Sequence, residues 1–206
     1  MTGEIDRVRA DLVDAGVAGT EDLGRFVANT QYIRASIFDE RAAMPVLLRV
    51  LPTLREPNLV IAVAGHLHRP WARARAFEAL LKAFRVWAPK DPSVGWALGD
   101  ALAMSADNQH LAILLDLAER REYGSSRQMV VNSLWRYRKD GRVSQLLLIL
   151  IEDPDVSLQA MSALRRTLGN DAALPHLRQI RDTHPDEKAR QQAARQVNQA
   201  ERGANK

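Results

Sequence analysis

Cysteine is absent from this 206-residue chain, which excludes disulfides and every site built on thiolates. Aromatic side chains are scarce at 5%, so there is little of the material from which sheets are made. Lysine is nearly missing: Lys82, Lys90, Lys139, Lys188 and Lys206 are all the chain has. Its positive charge is therefore mostly arginine, which suits planar, bidentate contacts with carboxylates or phosphates. No apolar run approaches the roughly 18–20 residues that span a bilayer; the segment Leu146–Ile151 falls far short. The opening Met-Thr-Gly-Glu-Ile-Asp lacks the basic start and apolar core of a secretory signal. We therefore expect a cytoplasmic protein with no membrane segment.

Motifs for chemistry are missing as well. There is no glycine-rich phosphate loop, no Gly-x-Ser-x-Gly elbow and no cysteine nucleophile. His66 and His68 lie two apart on a helix and point to different sides, so that spacing cannot hold a metal. We expect no catalytic residue, no metal and no cofactor.

What is present is Ala, Leu and Arg in quantity, with 46% apolar residues and a formal charge of +4. That mixture favours helix and permits nucleic-acid binding without demanding it. The chain also repeats. Pro57, Pro92, Ser125, Pro154 and Pro185 stand 35, 33, 29 and 31 residues apart. Proline fits the first position of a helix, and the acid before Pro57, Pro92 and Pro154 can cap it. Ser125-Ser126 reads as a further helix cap. Before each anchor lies another amphipathic segment; in 76–88, Phe77, Leu80, Leu81, Phe84 and Trp87 or Ala88 recur at helical spacing. Helix pairs follow at about 41–55 and 57–68, 73–88 and 92–105, 108–121 and 125–138, 142–152 and 154–168, and 171–182 and 185–200. Segment 143–151 is apolar nearly all round, as expected of a helix flanked on both sides; a strand is the rival reading of so short a run, and the repeat register favours the helix.

The segment from Asp153-Pro-Asp-Val-Ser to Leu168-Gly169 resembles the second helix of HEAT repeats of the bacterial lyase-like type. Ala43-Met-Pro45-Val-Leu47 and Ala173-Leu-Pro175-His-Leu177 resemble first helices of such repeats, and Pro52 resembles their proline bend. The resemblance covers about 40–200 and implies an all-α, right-handed α-α superhelix, with the second helices lining its concave surface. We expect about five helical pairs over 39–200, a helical cap over 1–38 and a disordered tail over 201–206. The cap holds two helices, one with Ile5, Val8, Leu12 and Val13, the other with Leu23, Phe26 and Val27. The second pair looks irregular, with Gly95 and Gly99 in its second helix.

In that helix the core pattern 94, 97, 98, 101 and 102 leaves Trp96, Gly99, Asp100 and Ala103 opposite. Trp96, Asp100, Asn132, Arg136 and Arg165 share the face left free, and a tryptophan among arginines suits a binding hot spot. They are the candidate partner-binding residues of a non-enzymatic scaffold or adaptor that binds a protein. Counted from the anchors, His68, Arg69, Arg136, Arg138, Arg165, Arg166 and Arg195 fall in near-equivalent positions. Equivalent positions of a solenoid stack into a line, so His68, Arg69, Arg138, Arg166 and Arg195 form a candidate basic ridge. The ridge fits an acidic protein or a phosphate backbone. It equally fits cations placed at helix C-termini by the macrodipole, each worth about 0.3–1 kcal/mol. Trp96 and Asp100 also resemble half of the site of HEAT-like alkylpurine DNA glycosylases, which makes a nucleic-acid-binding relative the alternative. The oligomeric state is not legible.

Overall fold

The computed structural model describes residues 2–20 and 39–204. Among the described residues every regular element is helical, so the all-α expectation holds. Packing of the chain divides it into two compact units, Met1–Asp107 and Asn108–Lys206. The second expected cap helix, with Leu23, Phe26 and Val27, lies outside the described residues.

The first unit contains α1 (Thr2–Asp14), α2 (Glu40–Val50), a 3-10 turn (Leu51–Thr53), α3 (Pro57–Leu67), α4 (Arg73–Trp87) and α5 (Pro92–Ser105). The start signals work locally. Asp39 accepts from the N–H groups of Arg41 and Ala42, and Asp91 from those of Ser93 and Val94. These bonds satisfy two of the donors that each helix start leaves open. Pro57 and Pro92 are first helical residues, as expected.

Glu56 does not cap α3. Instead Glu4 of α1 accepts the backbone N–H of Arg55 at 2.9 Å and of Glu56 at 2.8 Å, which places a negative charge at the positive end of the helix. Pro52 does not bend a continuing helix: α2 ends at Val50 and the chain tightens into the 3-10 turn, because proline has no N–H to donate. Val8 and Leu12 are buried as read, whereas Val13 is exposed.

α2 packs on α3 and α4, α3 on α5, and α4 on α5. Phe77, Leu80, Leu81, Phe84 and Ala88 are buried along α4. α5 is an unbroken helix despite Gly95 and Gly99, and both glycines are buried in it. Gly99 and Ala103, expected on the free face, are buried too; residues this small pack against neighbours without filling a pocket. The face that stays open carries Trp96 and Asp100.

The second unit contains α6 (Leu111–Glu119), a 3-10 stretch (Arg121–Arg127), α7 (Gln128–Ser133), a 3-10 turn (Leu134–Tyr137), α8 (Gly141–Leu150), α9 (Ser157–Leu168), α10 (Asn170–Thr183) and α11 (Glu187–Ala204). α6 packs on α7 and α8, α9 on α7, α8, α10 and α11, and α10 on α11. The irregular second helix is here, at 121–137, where an α segment stands between 3-10 turns. Gly124 breaks the backbone with φ of +48°, a left-handed value that glycine adopts freely. Ser125 and Ser126 follow inside the 3-10 stretch, and α7 begins at Gln128 with no side-chain cap.

Two further starts are displaced. α9 begins at Ser157, not Pro154, because Asp153 closes a turn first: its carbonyl accepts from Val156 and Ser157 N–H at 3.1 and 2.8 Å. α11 begins at Glu187, capped by Asp186, whose carboxylate accepts from Lys188 and Ala189 N–H. α8 is not covered all round: Val143, Leu146, Leu147 and Leu150 are buried, while Leu148 is 37% and Ile149 64% exposed.

Beneath these turns lies a feature that sequence reading missed. Arg127 is wholly buried and spends its guanidinium on Gly124 O, Ala118 O and Asp153 Oδ2, each at 2.9 Å. It ties the end of α6 to the turn before α9.

Candidate functional site

The candidate residues fall in both units, and each unit has its own arrangement. In the first, Trp96 is 44% exposed on α5. One turn on, Asp100 faces His68 at the end of α3, with Oδ2 3.8 Å from Nε2. Arg69 does not stand free. Its Nε and Nη2 donate to Glu40 at 3.1 and 2.9 Å, and His66 Nδ1 meets the same carboxylate at 2.8 Å. Arg69 therefore adds little net charge to the candidate ridge, because the Glu40 carboxylate on α2 pairs with it.

Burial alone would raise the Glu40 carboxyl, but the hydrogen bonds from Arg69 and His66 outweigh it and hold the group below the ordinary carboxylate range. Burial pushes the His66 imidazole down, partly offset by Glu40. Both shifts leave the folded chain binding fewer protons than the unfolded one, so stability rises with pH through these groups and is lost in acid. His66 contributes the loss that starts below its ordinary value of 6.5, and Glu40 the loss that starts below 4.5. Thermal melting should therefore show the midpoint falling from about pH 7 to about pH 5, with a shallower fall in His66→Gln, which lacks the titrating ring.

In the second unit Arg136 and Arg138 come together where the sequence placed them, at the end of the irregular helix. With Tyr137, Lys139, Asp140 and Arg142 they line a groove of about 740 Å³, closed on its other side by Asn108, Gln109, Leu111 and Ala112. The starts of α6 and α8 both border it, so two positive helix ends add to the side-chain charge. The lining carries four cations, Arg136, Arg138, Lys139 and Arg142, against the single carboxylate of Asp140, a formal surplus of +3. Asp140 is already committed: it caps α8 through Arg142 N–H at 3.0 Å and pairs with Arg142 Nη2 at 2.7 Å. The side-chain hydrogen bond from Arg142 holds its carboxyl below the ordinary value. Among the described residues, Arg138 and Lys139 are exposed and pair with no carboxylate.

The remaining candidates are outside this lining. Asn132 is half-buried on α7. Arg165 is half-buried, with Nη1 3.4 Å from Asn170 Oδ1. The Arg166 guanidinium lies 5.4 Å from the Trp135 ring centre, a cation–π contact. Arg195 is exposed in the middle of α11, where no helix end accounts for it. Arg165 and Arg166 do occupy the last turn of α9, so the macrodipole explains these two and not Arg195.

Sequence reading found Arg136 and Arg138 by their register but missed Lys139, Arg142 and the amides of Asn108 and Gln109. A signal was there: Arg136-Tyr-Arg-Lys-Asp-Gly-Arg142 packs four cations into seven residues. Among the described residues no cluster of three or more His, Asp or Glu is placed to hold a metal, and no helix is long and apolar enough to cross a membrane. No protein-family model, curated protein or solved structure matches the chain.

Proposed function

We propose that this chain is a non-enzymatic HEAT-like scaffold, a right-handed α-α solenoid of about five pairs, whose cationic groove binds an acidic segment of a protein partner. Packing within each unit supports the solenoid: first helices meet first helices (α2 with α4, α6 with α8), and second helices meet second helices (α3 with α5, α7 with α9, α9 with α11). Pro45 and Pro175 also stand at the sixth residue of α2 and α10, each between a buried Ala and a buried Leu. The observation that carries the function is the surplus charge of the groove, with Arg138 and Lys139 unopposed. Guanidinium groups in such a setting favour bidentate contacts with carboxylates. A nucleic-acid backbone asks for a long unbroken line of cations. His68 and Arg69 are turned toward Asp100 and Glu40 instead, which favours the protein partner.

Fluorescence anisotropy separates the readings. A labelled glutamate-rich peptide should bind, and the double variant Arg138→Glu/Lys139→Glu should weaken it by about tenfold or more, roughly 1.4 kcal/mol. A labelled DNA duplex whose affinity falls steeply with salt, survives this variant and is lost in Arg166→Glu/Arg195→Glu would replace the acidic protein with a phosphate backbone.

A further inference from the structure

The cationic groove does not end at Arg142. A second depression of about 420 Å³ shares Ala112 and Arg142 with it and runs on between α6 and α8. Its walls are single helical stripes: Ala112, Leu115, Asp116 and Glu119 on α6, and Arg142, Gln145, Leu146 and Ile149 on α8. Both follow the i, i+3, i+4, i+7 spacing of one helix face. The trough is thus polarised along its length. It is basic at Arg138, Lys139 and Arg142, apolar in its middle, where the largely buried Leu115 and Leu146 form the floor beside Asp116, and acidic at its far end, where Glu119 borders it. Ile149, at 64%, is the most exposed large apolar side chain among the described residues, and it stands toward the far end, seven residues along α8 from Arg142 as Glu119 stands seven along α6 from Ala112. Asp116 is partly neutralised by Arg120 at 3.0 Å, whereas Glu119 is exposed and makes no ion pair among the described residues.

We infer that the α6–α8 trough is a docking site for a short amphipathic helix of a partner protein, acidic at one end, apolar at its centre and basic at the other. Charge complementarity fixes the occupant. A uniformly acidic segment would meet repulsion at Glu119, and a uniformly basic one at Arg138 and Lys139. α6 has nine residues, a length of about 13 Å, so two to three turns of the partner match it. The occupant lays its leucine-type side chains into a groove between two helices, a common mode of peptide recognition. This inference rests on the protein-binding reading of the cationic groove and extends it from a charge to a sequence pattern.

The probe is a labelled synthetic peptide with glutamates in its first turn, leucines at helical spacing and lysines in its last turn. Titration should show binding that falls about tenfold or more both in Ile149→Glu and in Arg138→Glu/Lys139→Glu. A control peptide carrying leucines at the same spacing but lysine at every charged position should bind more weakly. Ile149 is exposed, so Ile149→Glu should melt like the wild type and report on binding alone. Wild-type affinity in Ile149→Glu, with loss only in the charge-reversed variant, would overturn the trough while leaving the acidic-segment reading intact. No effect of either variant would remove both. A dimer in sedimentation that Ile149→Glu converts to monomer would assign the trough to a second copy of this chain and overturn the partner helix.

Discussion

Asp153→Ala should destabilise the second unit by about 3–5 kcal/mol, the range for breaking a buried ion pair from one side. The magnitude follows from what is left behind. Arg127 is wholly buried, and Asp153 is the one carboxylate within hydrogen-bond distance of it among the described residues, at 2.9 Å. Gly124 O and Ala118 O would still accept two of its donors, but they do not cancel its charge. Asp155, with Oδ2 3.9 Å away and half exposed, is too distant and too well solvated to take over. Since a domain of this size has only about 5–15 kcal/mol of net stability, the loss should be plain in urea melting followed by circular dichroism. Hydrogen exchange should show it in the amides of α6 to α9, which the pair joins. The double variant Arg127→Met/Asp153→Leu should recover most of the loss, because it removes the charge together with its partner. A single variant within about 1 kcal/mol of wild type would mean that water reaches Arg127, against its burial.

Why the sequence announced some of this and hid the rest can be argued from its anchors. Pro57 and Asp91-Pro92 start helices where they stand because nothing else competes for them. Asp153 carries the same local signal, and its carboxylate accepts both from Asp155 N–H and from Arg127, 26 positions earlier, but its carbonyl closes a turn with Val156 and Ser157, and the helix start moves to Ser157. Glu56 is likewise read as a cap from its neighbours, while Glu4, 52 residues away, takes that role. Periodicity gave the helices and most of their buried stripes, since burial on a helix repeats in a way that neighbours reveal. It misplaced Gly99 and Ala103, whose smallness lets either face bury them. Arg136 and Arg138 were found because register compares equivalent turns. Asn108 and Gln109 were not, because the groove closes on them from a helix start nearly 30 residues away. Arg69 was legible as a cation and illegible as a spent one, since only folding brings Glu40 to it.

Phe84→Ala carries the largest expected loss in the first unit, about 3–5 kcal/mol for a buried phenylalanine cut to a methyl group. Phe77 and Phe84 lie seven residues apart on the same face of α4, both without solvent exposure. α4 packs on α2, on the 3-10 turn after it, on α3 and on α5, so a cavity here loosens several contacts at once. Rigid neighbours cannot close it, and both the lost transfer energy and the empty volume count. Trp96→Ala in the neighbouring helix is the contrast. Trp96 has the larger ring, but it is 44% exposed, and exposed positions usually move stability by no more than about 0.5 kcal/mol. Urea melting by circular dichroism should therefore place Trp96→Ala near wild type and Phe84→Ala far below it. That difference has a functional consequence. A large aromatic that the fold leaves in water without needing it is a candidate for a partner's surface. If Trp96→Ala instead melts as low as Phe84→Ala, Trp96 belongs to the core of the first unit and leaves the set of binding residues.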